Sequence, residues 1–175
     1  FREVGERIAA LHIFYEHCGI KKGDHIALCG RNCSEWAVYY FSVLTYGAVA
    51  VPLLHEFKPQ NVEHLVNHAE CKLLVVGDVV WEGIDAENLP MVKAVLQMQG
   101  RKLVYCKDNK FKEAYENLDA HFNEKYPNGF SKQDVRYERE DPEDLALINY
   151  TSGTTSLSKG VMIPYRAIMG NLNFA

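Results

Sequence analysis

Two spacings of apolar residues divide the chain into helices and strands. Apolar residues that recur every third or fourth position predict helices, and short unbroken apolar runs predict buried strands. Helices are predicted over residues 1–18, 32–46, 59–69, 90–98 and 111–122. Strands are predicted over residues 25–29, 48–54, 73–76, 102–106, 145–148 and 161–163.

Polar residues and prolines set the expected boundaries of these elements. Asn32, followed by Glu35, has the spacing of a capping box and predicts the start of the second helix. Pro52 interrupts the apolar run 48–54 and lacks a backbone N–H, so within this run the second strand is predicted to end at Pro52. Residues 127–144 turn polar, and we interpret them as a connector rather than a core element.

The alternation of strands and helices predicts an α/β fold with a mostly parallel sheet and helices on both faces. The 175 residues are enough for one domain with a hydrophobic core. Because the chain starts without Met and stops inside a predicted helix, we expect residues 1–175 to be a single partial domain of a longer protein. Such sheets bind ligands beyond the carboxyl ends of their strands, where the next segment lies.

Residues 150–160 carry the most distinctive chemistry in the chain. Hydroxyl side chains, two glycines and Lys159 follow one predicted strand and precede another. Glycine lets backbone N–H groups approach an anion, hydroxyls donate hydrogen bonds and lysine adds a mobile charge, so this segment suits a phosphate chain. It is not a P-loop, because Gly160 and a strand follow the lysine in place of Ser or Thr and a helix. The alternative from composition alone is a solvated hairpin rich in Ser and Thr.

Composition narrows the functional classes. The net charge of −4 and the absence of a basic run argue against nucleic acid as a partner. No apolar run approaches the length of about 18 residues that a membrane span needs. The five cysteines are odd in number and scattered, so we predict buried free thiols in a reducing compartment rather than disulfides or a zinc site.

Two other constellations are interpreted as non-functional. His64 and His68 have the spacing of two metal ligands on one helix, but no third ligand accompanies them. They fall opposite the apolar stripe of that helix, so we predict that both face solvent. No Gly-x-Ser-x-Gly motif is present, which gives no support for a serine hydrolase.

The segment 150–160 resembles the phosphate-binding signature of the adenylate-forming superfamily, which contains acyl-CoA synthetases, luciferases and peptide-synthetase adenylation domains. That signature reads Tyr/Phe-Thr-Ser-Gly-Ser/Thr-Thr-Gly-x-Pro-Lys-Gly, and the chain follows it at residues 150–155, at Lys159 and at Gly160. Two positions depart from it. Ser156 restricts a backbone position that is usually Gly, and Ser158 replaces a proline that would stiffen the loop.

The resemblance extends toward the N-terminus and covers most of residues 1–175. Segments 23–27, 32–36 and 47–53 are similar to the family's Gly-Asp-x-Val-Ala, Asn-x-x-Glu-Trp and Gly-Ala-Val-x-Val-Pro-Leu motifs, in the same order. The residues that follow Lys159, Gly160-Val161-Met162, are most like the long-chain acyl-CoA synthetase branch.

This resemblance implies a fragment of an ATP-dependent acyl-CoA ligase that forms an acyl-adenylate, with a long-chain fatty acid as the expected substrate, and passes the acyl group to coenzyme A. The implied ATP-binding residues are Thr151, Ser152, Gly153, Thr154, Thr155, Ser156, Lys159 and Gly160. Lys159 would offset charge that builds on pyrophosphate, and Thr154 or Thr155 would help to place Mg²⁺. The chain itself would contain no catalytic residue and no coenzyme A site.

Further expectations concern the behaviour of the chain. We expect the fragment to lack ligase activity, to bind nucleotide weakly at most, and to self-associate through exposed apolar surface. Its partners are expected to be small molecules, without nucleic acid or a transmembrane segment. The expected location is cytoplasmic or peripheral to a membrane.

Two alternatives to a ligase remain open from the sequence. One is a non-catalytic module that binds nucleotide or phosphate through a degenerate loop, which Ser156 and Ser158 favour. The other is a structural α/β domain in which residues 151–160 form only a hairpin. Acyl chain length and the oligomeric state of the intact protein are not specified by the sequence.

Overall fold

A seven-stranded sheet forms the framework of the computed structural model, which describes residues 1–135, 137, 141–151 and 159–172. The strands are β1 (His25–Cys29), β2 (Val49–Leu53), β3 (Leu73–Val76), β4 (Ala94–Gln97), β5 (Lys102–Cys106), β6 (Leu145–Thr151) and β7 (Lys159–Pro164). Their order across the sheet is β5-β4-β3-β1-β2-β6-β7. The five central strands are parallel, and each outer strand, β5 and β7, runs antiparallel to its neighbour.

Helices cover both faces of this sheet. They are α1 (Arg2–Cys18), α2 (Ser34–Tyr46), α3 (Pro59–His68), α4 (Asp78–Trp81), α5 (Asn109–Glu116), α6 (Leu118–Lys125) and α7 (Tyr165–Leu172). Short 3₁₀ turns occupy Ala86–Asn88, Gln99–Arg101 and Lys132–Asp134. The predicted α/β fold with a mostly parallel sheet is therefore confirmed.

Alternate residues of the strands pack into two separate hydrophobic cores, one on each face of the sheet. Ile26 and Leu28 of β1 face a core built with α1, α2 and α5. Ala27 and Cys29 face the opposite core, which α3 closes with its buried stripe. Because both faces of β1, β2, β3 and β4 are largely buried, these four strands have nearly continuous apolar sequences, as is typical of parallel sheets.

The predicted helix over residues 90–98 is wrong, because this segment contains β4. Ala94, Val95 and Leu96 are buried between β3 and β5. A short apolar run fits a buried strand and a buried helix equally well, and its neighbours in the sheet decide between them.

The predicted single helix over residues 111–122 is also wrong, because two helices, α5 and α6, meet at Asn117. The Asn117 side-chain amide donates a hydrogen bond to the Glu113 carbonyl at 2.9 Å. Asparagine competes for backbone groups in this way and favours helix ends over helix interiors.

Two predicted boundaries shift by one residue. The N-cap of α2 is Cys33 rather than Asn32, and its sulfur accepts a hydrogen bond from the Trp36 N–H. Glu35 does not complete a capping box; it forms an ion pair with Arg7 of α1 at 2.8 Å. The strand β2 continues past Pro52 to Leu53, because the missing N–H lies beyond the residue at which β2 pairs with β6.

The connector predicted over residues 127–144 is largely exposed where the structure describes it, with one exception. Phe130 is only 3% exposed and packs near Gly5 of α1. Ser131 and Asp134 form a capping box around the short turn that follows. The segment is thus attached to the domain at Phe130, while its role as a boundary between parts of the chain stays a prediction.

Candidate functional site

The hairpin of β6 and β7 carries the ends of the predicted phosphate loop. Thr151 pairs with Lys159 across the hairpin, and Tyr150 pairs with Gly160 one step further in. Since β6 runs parallel to β2, Thr151 lies at the carboxyl end of a strand in the parallel part of the sheet. Ligands of α/β sheets bind at such ends.

The structure describes three of the eight residues predicted to bind ATP. Thr151, Lys159 and Gly160 are exposed to solvent. Among the residues that the structure describes, none forms an ion pair with Lys159, so its ammonium group is available to an anion. The remaining five predicted residues lie outside the described residues: Ser152, Gly153, Thr154, Thr155 and Ser156.

Tyr150 is held at the base of this hairpin from two sides. It is 8% exposed and belongs to the core that α3 closes. Its ring lies against Gly160, where an added Cβ would be 3.2 Å from Tyr150 Cε1. Its hydroxyl lies 2.6 Å from Nδ1 of His68, the last residue of α3. Burial raises the pKa of the Tyr150 phenol, which therefore stays protonated as a hydrogen-bonding group.

The prediction that both histidines of α3 face solvent is confirmed, but His68 also makes a contact that the sequence did not indicate. His64 and His68 are both exposed, but His68 bonds to Tyr150 and its ring meets the tyrosine ring edge-on, with centroids 5.7 Å apart. The two residues are 82 positions apart in the chain. No local sequence signal reveals such a contact, because it depends on how α3 packs beside β6.

The described side chains offer no metal site of their own. Among those residues, no group of three or more His, Cys, Asp or Glu side chains could hold a metal ion. Mg²⁺ prefers few protein oxygens together with substrate phosphates. A loop hydroxyl would fit that preference, and the predicted ligands Thr154 and Thr155 lie outside the described residues.

A large cavity lies elsewhere in the domain. It has a volume of about 850 Å³ and lies among α1, the start of α2, α5 and α6. Arg7, Glu35 and Arg101 line it together with several carboxylates, so its walls carry charges of both signs. None of its lining residues belongs to β6, β7 or α3.

All five cysteines are free, and three of them are buried as predicted. Burial raises the pKa of the Cys18 and Cys29 thiols to about 12, and it raises the pKa of Cys71 as well. These groups stay protonated and unreactive at neutral pH. Cys33, in contrast with the prediction, is exposed.

Comparison with protein families identifies the chain. The family model described as AMP-binding enzyme matches residues 1–175, so the chain belongs to the AMP-binding enzyme family. It is 28% identical to a long-chain-fatty-acid–CoA ligase of Escherichia coli O6:H1, over 98% of the chain and 33% of that relative. It is 29% identical to a crotonobetaine/carnitine–CoA ligase of Proteus mirabilis, over 100% of the chain and 32% of that relative. The chain thus spans about a third of the length of these curated relatives.

Solved structures share the fold of this chain. A long-chain-fatty-acid–CoA ligase from Archaeoglobus fulgidus superimposes with a TM-score of 0.68 at 25% identity, covering 93% of the chain and 29% of that protein. An anthranilate–CoA ligase in complex with anthranoyl-AMP superimposes with a TM-score of 0.72 at 21% identity, covering 95% of the chain and 28% of that protein. The second likeness concerns the fold alone. Within the described residues, no helix combines the length and the apolar character required to cross a bilayer.

Proposed function

We propose that this chain is part of an ATP-dependent acyl-CoA ligase and supplies the loop that holds the β- and γ-phosphates of ATP. The observation that carries the proposal is the placement of Thr151 opposite Lys159 at the end of the β6–β7 hairpin. This places an exposed hydroxyl and an exposed ammonium group side by side at the carboxyl end of β6. The family match over the whole chain supports the same function.

The chemistry assigned to these residues is positioning and charge neutralisation. In the proposed reaction, a substrate carboxylate attacks the α-phosphorus of ATP, and the bond to pyrophosphate breaks. Lys159 offsets the negative charge that builds on the departing pyrophosphate, and the Thr151 hydroxyl donates to a phosphate oxygen. Backbone N–H groups and hydroxyls of residues 152–156 complete the proposed phosphate site, and Mg²⁺ is proposed to bind through Thr154 or Thr155.

The acid that is activated is proposed to be a long-chain fatty acid, with coenzyme A as the acceptor. The E. coli relative carries a name of that kind at 28% identity, and the A. fulgidus structure carries one at 25%. The Proteus ligase, named for a different acid, is equally similar at 29%. The comparisons therefore support carboxylate activation more strongly than a particular chain length.

Replacing Lys159 with alanine in the full-length protein tests this function. We expect pyrophosphate release that depends on ATP and fatty acid to fall about tenfold or more, because a group that stabilises developing charge is lost. Lys132→Ala, which removes an exposed lysine from the connector, is the matched control and should leave the rate unchanged. Equal rates for Lys159→Ala and the wild type would show that the segment acts only as a hairpin.

A non-catalytic module that binds nucleotide is the second candidate, and Ser156 and Ser158 favour it because both depart from the family signature. The same assay separates the two candidates. A full-length protein that binds ATP but releases no pyrophosphate with any of a panel of carboxylic acids would be such a module. Ser156→Gly and Ser158→Pro, which restore the signature, should then raise the affinity for ATP.

A further inference from the structure

Tyr150 is placed to transmit the position of α3 to the end of the β6–β7 hairpin. It precedes Thr151 directly and pairs with Gly160, the residue after Lys159. Its ring covers the space that a side chain at position 160 would otherwise take. Whatever fixes the Tyr150 ring therefore fixes both strands next to Thr151 and Lys159.

The group that fixes the hydroxyl of Tyr150 comes from a rigid support. His68 ends α3, whose residues Val62, Leu65 and Val66 are buried in the core on that face. The carbonyl of Ala69, the next residue, lies within hydrogen-bond distance of the His25 ring at the start of β1. The end of α3 is thus attached to the central strand β1 independently of the contact between His68 and Tyr150.

We propose that His68 is a positioning residue for the phosphate site. Its ring nitrogen, 2.6 Å from the Tyr150 hydroxyl, ties the hairpin that presents Thr151 and Lys159 to α3 and, through α3, to β1. The ligand whose binding site is held in place is ATP, and this part of the inference rests on the proposed function. His68 does not touch the phosphates; it acts through Tyr150.

Conservative substitutions in the full-length protein test this role. His68→Phe keeps a ring against Tyr150 but removes the hydrogen bond, and Tyr150→Phe removes only the hydroxyl. We expect each to raise the Kd for ATP about fivefold, as for the loss of one hydrogen bond. The Kd for ATP of the double variant should be no higher than that of either single variant, because both substitutions remove the same contact. His68→Asn, which places an amide group near the position of Nδ1, should restore most of the affinity.

His64→Phe is the matched control. His64 lies one turn earlier on α3, is also exposed, and has its ring centroid 6.2 Å from that of His68. It forms none of the hydrogen bonds found among the described residues, so we expect its substitution to leave the Kd for ATP unchanged. Thermal unfolding of all variants should occur within a few degrees of the wild type, which separates positioning from general destabilisation.

Amide hydrogen exchange provides a readout that does not need ATP. Exchange of the N–H that bonds to β6 at Lys159 or Gly160 should become about fivefold faster in both His68→Phe and Tyr150→Phe, and remain unchanged in His64→Phe. If the wild type binds ATP but exchange in His68→Phe and Tyr150→Phe is unchanged, the role of His68 is overturned and the proposed function stays intact. If exchange is faster in these variants but the wild type does not bind ATP, the anchoring is supported and the proposed function is overturned. Additive losses of ATP affinity in the double variant would also overturn the role of His68.

Discussion

At the scale of single residues, adding one methyl group at Gly160 would test how tightly the β6–β7 hairpin is packed. A Cβ at this position would lie 3.0 Å from Ile148 Cγ2 and 3.2 Å from Tyr150 Cε1. Both neighbours are held in the core, and Tyr150 is also held by His68. We therefore expect Gly160→Ala to lower the free energy of unfolding by about 1 kcal/mol, as for overpacking, and to weaken ATP binding.

Gly170 gives the matched substitution for this prediction. It lies in α7, and nothing within 4 Å would meet an added Cβ. Alanine inside a helix is more stable than glycine by about 0.5 to 1 kcal/mol. Urea unfolding should therefore place Gly160→Ala below the wild type and Gly170→Ala slightly above it. A Gly160→Ala variant as stable as the wild type, or more stable, would contradict the assigned packing of Gly160.

At the scale of elements, the contact between α1 and α2 contains a half-buried histidine that makes stability depend on pH. Nε2 of His12 lies 3.0 Å from the Ser42 carbonyl and 3.0 Å from the Thr45 hydroxyl. Burial lowers the pKa of His12 from 6.5 to about 4, since the charged form loses its hydration. The folded protein thus holds this ring neutral at a pH at which the unfolded chain would protonate it.

The direction of the pH dependence follows from this depressed pKa. His12 of the unfolded chain becomes protonated as the pH falls below 6.5, whereas His12 of the folded protein stays neutral until the pH nears its lowered pKa of about 4. The free energy of unfolding is therefore unaffected by this group above about pH 7. It falls as the pH is lowered, and the loss due to His12 is about 2 kcal/mol at pH 5. Urea unfolding at pH 7.5 and pH 5.0 should show this loss, and His12→Gln, which does not titrate, should reduce it. An equal loss in His12→Gln would assign the acid sensitivity to other groups.

Local patterns predicted some strands well because short unbroken apolar runs are visible in the sequence. The strands β1, β3 and β5 have the predicted bounds, and the strands that flank the phosphate segment are present. The segment that became β4 was mistaken for a helix because four buried residues do not define a period. The cap at Cys33 was missed because sulfur is a weak acceptor and Asn32 ranks higher by preference alone.

For the candidate site, sequence could locate the segment but not its support. The hydroxyl groups, glycines and lysine of residues 150–160 are contiguous, so their chemistry is visible without a structure. The contact of His68 with Tyr150 joins residues far apart in the chain and arises only when α3 packs beside β6. The apolar stripe of α3 predicts only which side of the helix meets the core, so it gives no sign that His68, on the other side, contacts Tyr150.

At the scale of the whole molecule, the outer strand β7 is a candidate surface for association between copies of this chain. The outer strand β7 leaves one edge unpaired among the described residues, and Val161 and Met162 on it are exposed. Exposed apolar edge strands pair readily with other chains. The outer strand β5 at the opposite end begins with Lys102, and such a charge discourages pairing. We therefore locate the predicted self-association of the chain at β7.

Met162→Lys tests that location because Met162 is 68% exposed and the change adds charge to the strand without disturbing the core. We expect sedimentation velocity of residues 1–175 to show oligomers for the wild type and an association constant about tenfold lower for Met162→Lys, since apolar contact is replaced by a charge that must stay hydrated. Val79→Lys changes a residue of α4 that is 74% exposed and should leave association unchanged. Association that persists in Met162→Lys but is lost in Val79→Lys would place the interface at α4, and a monomeric wild type at high concentration would remove the prediction altogether.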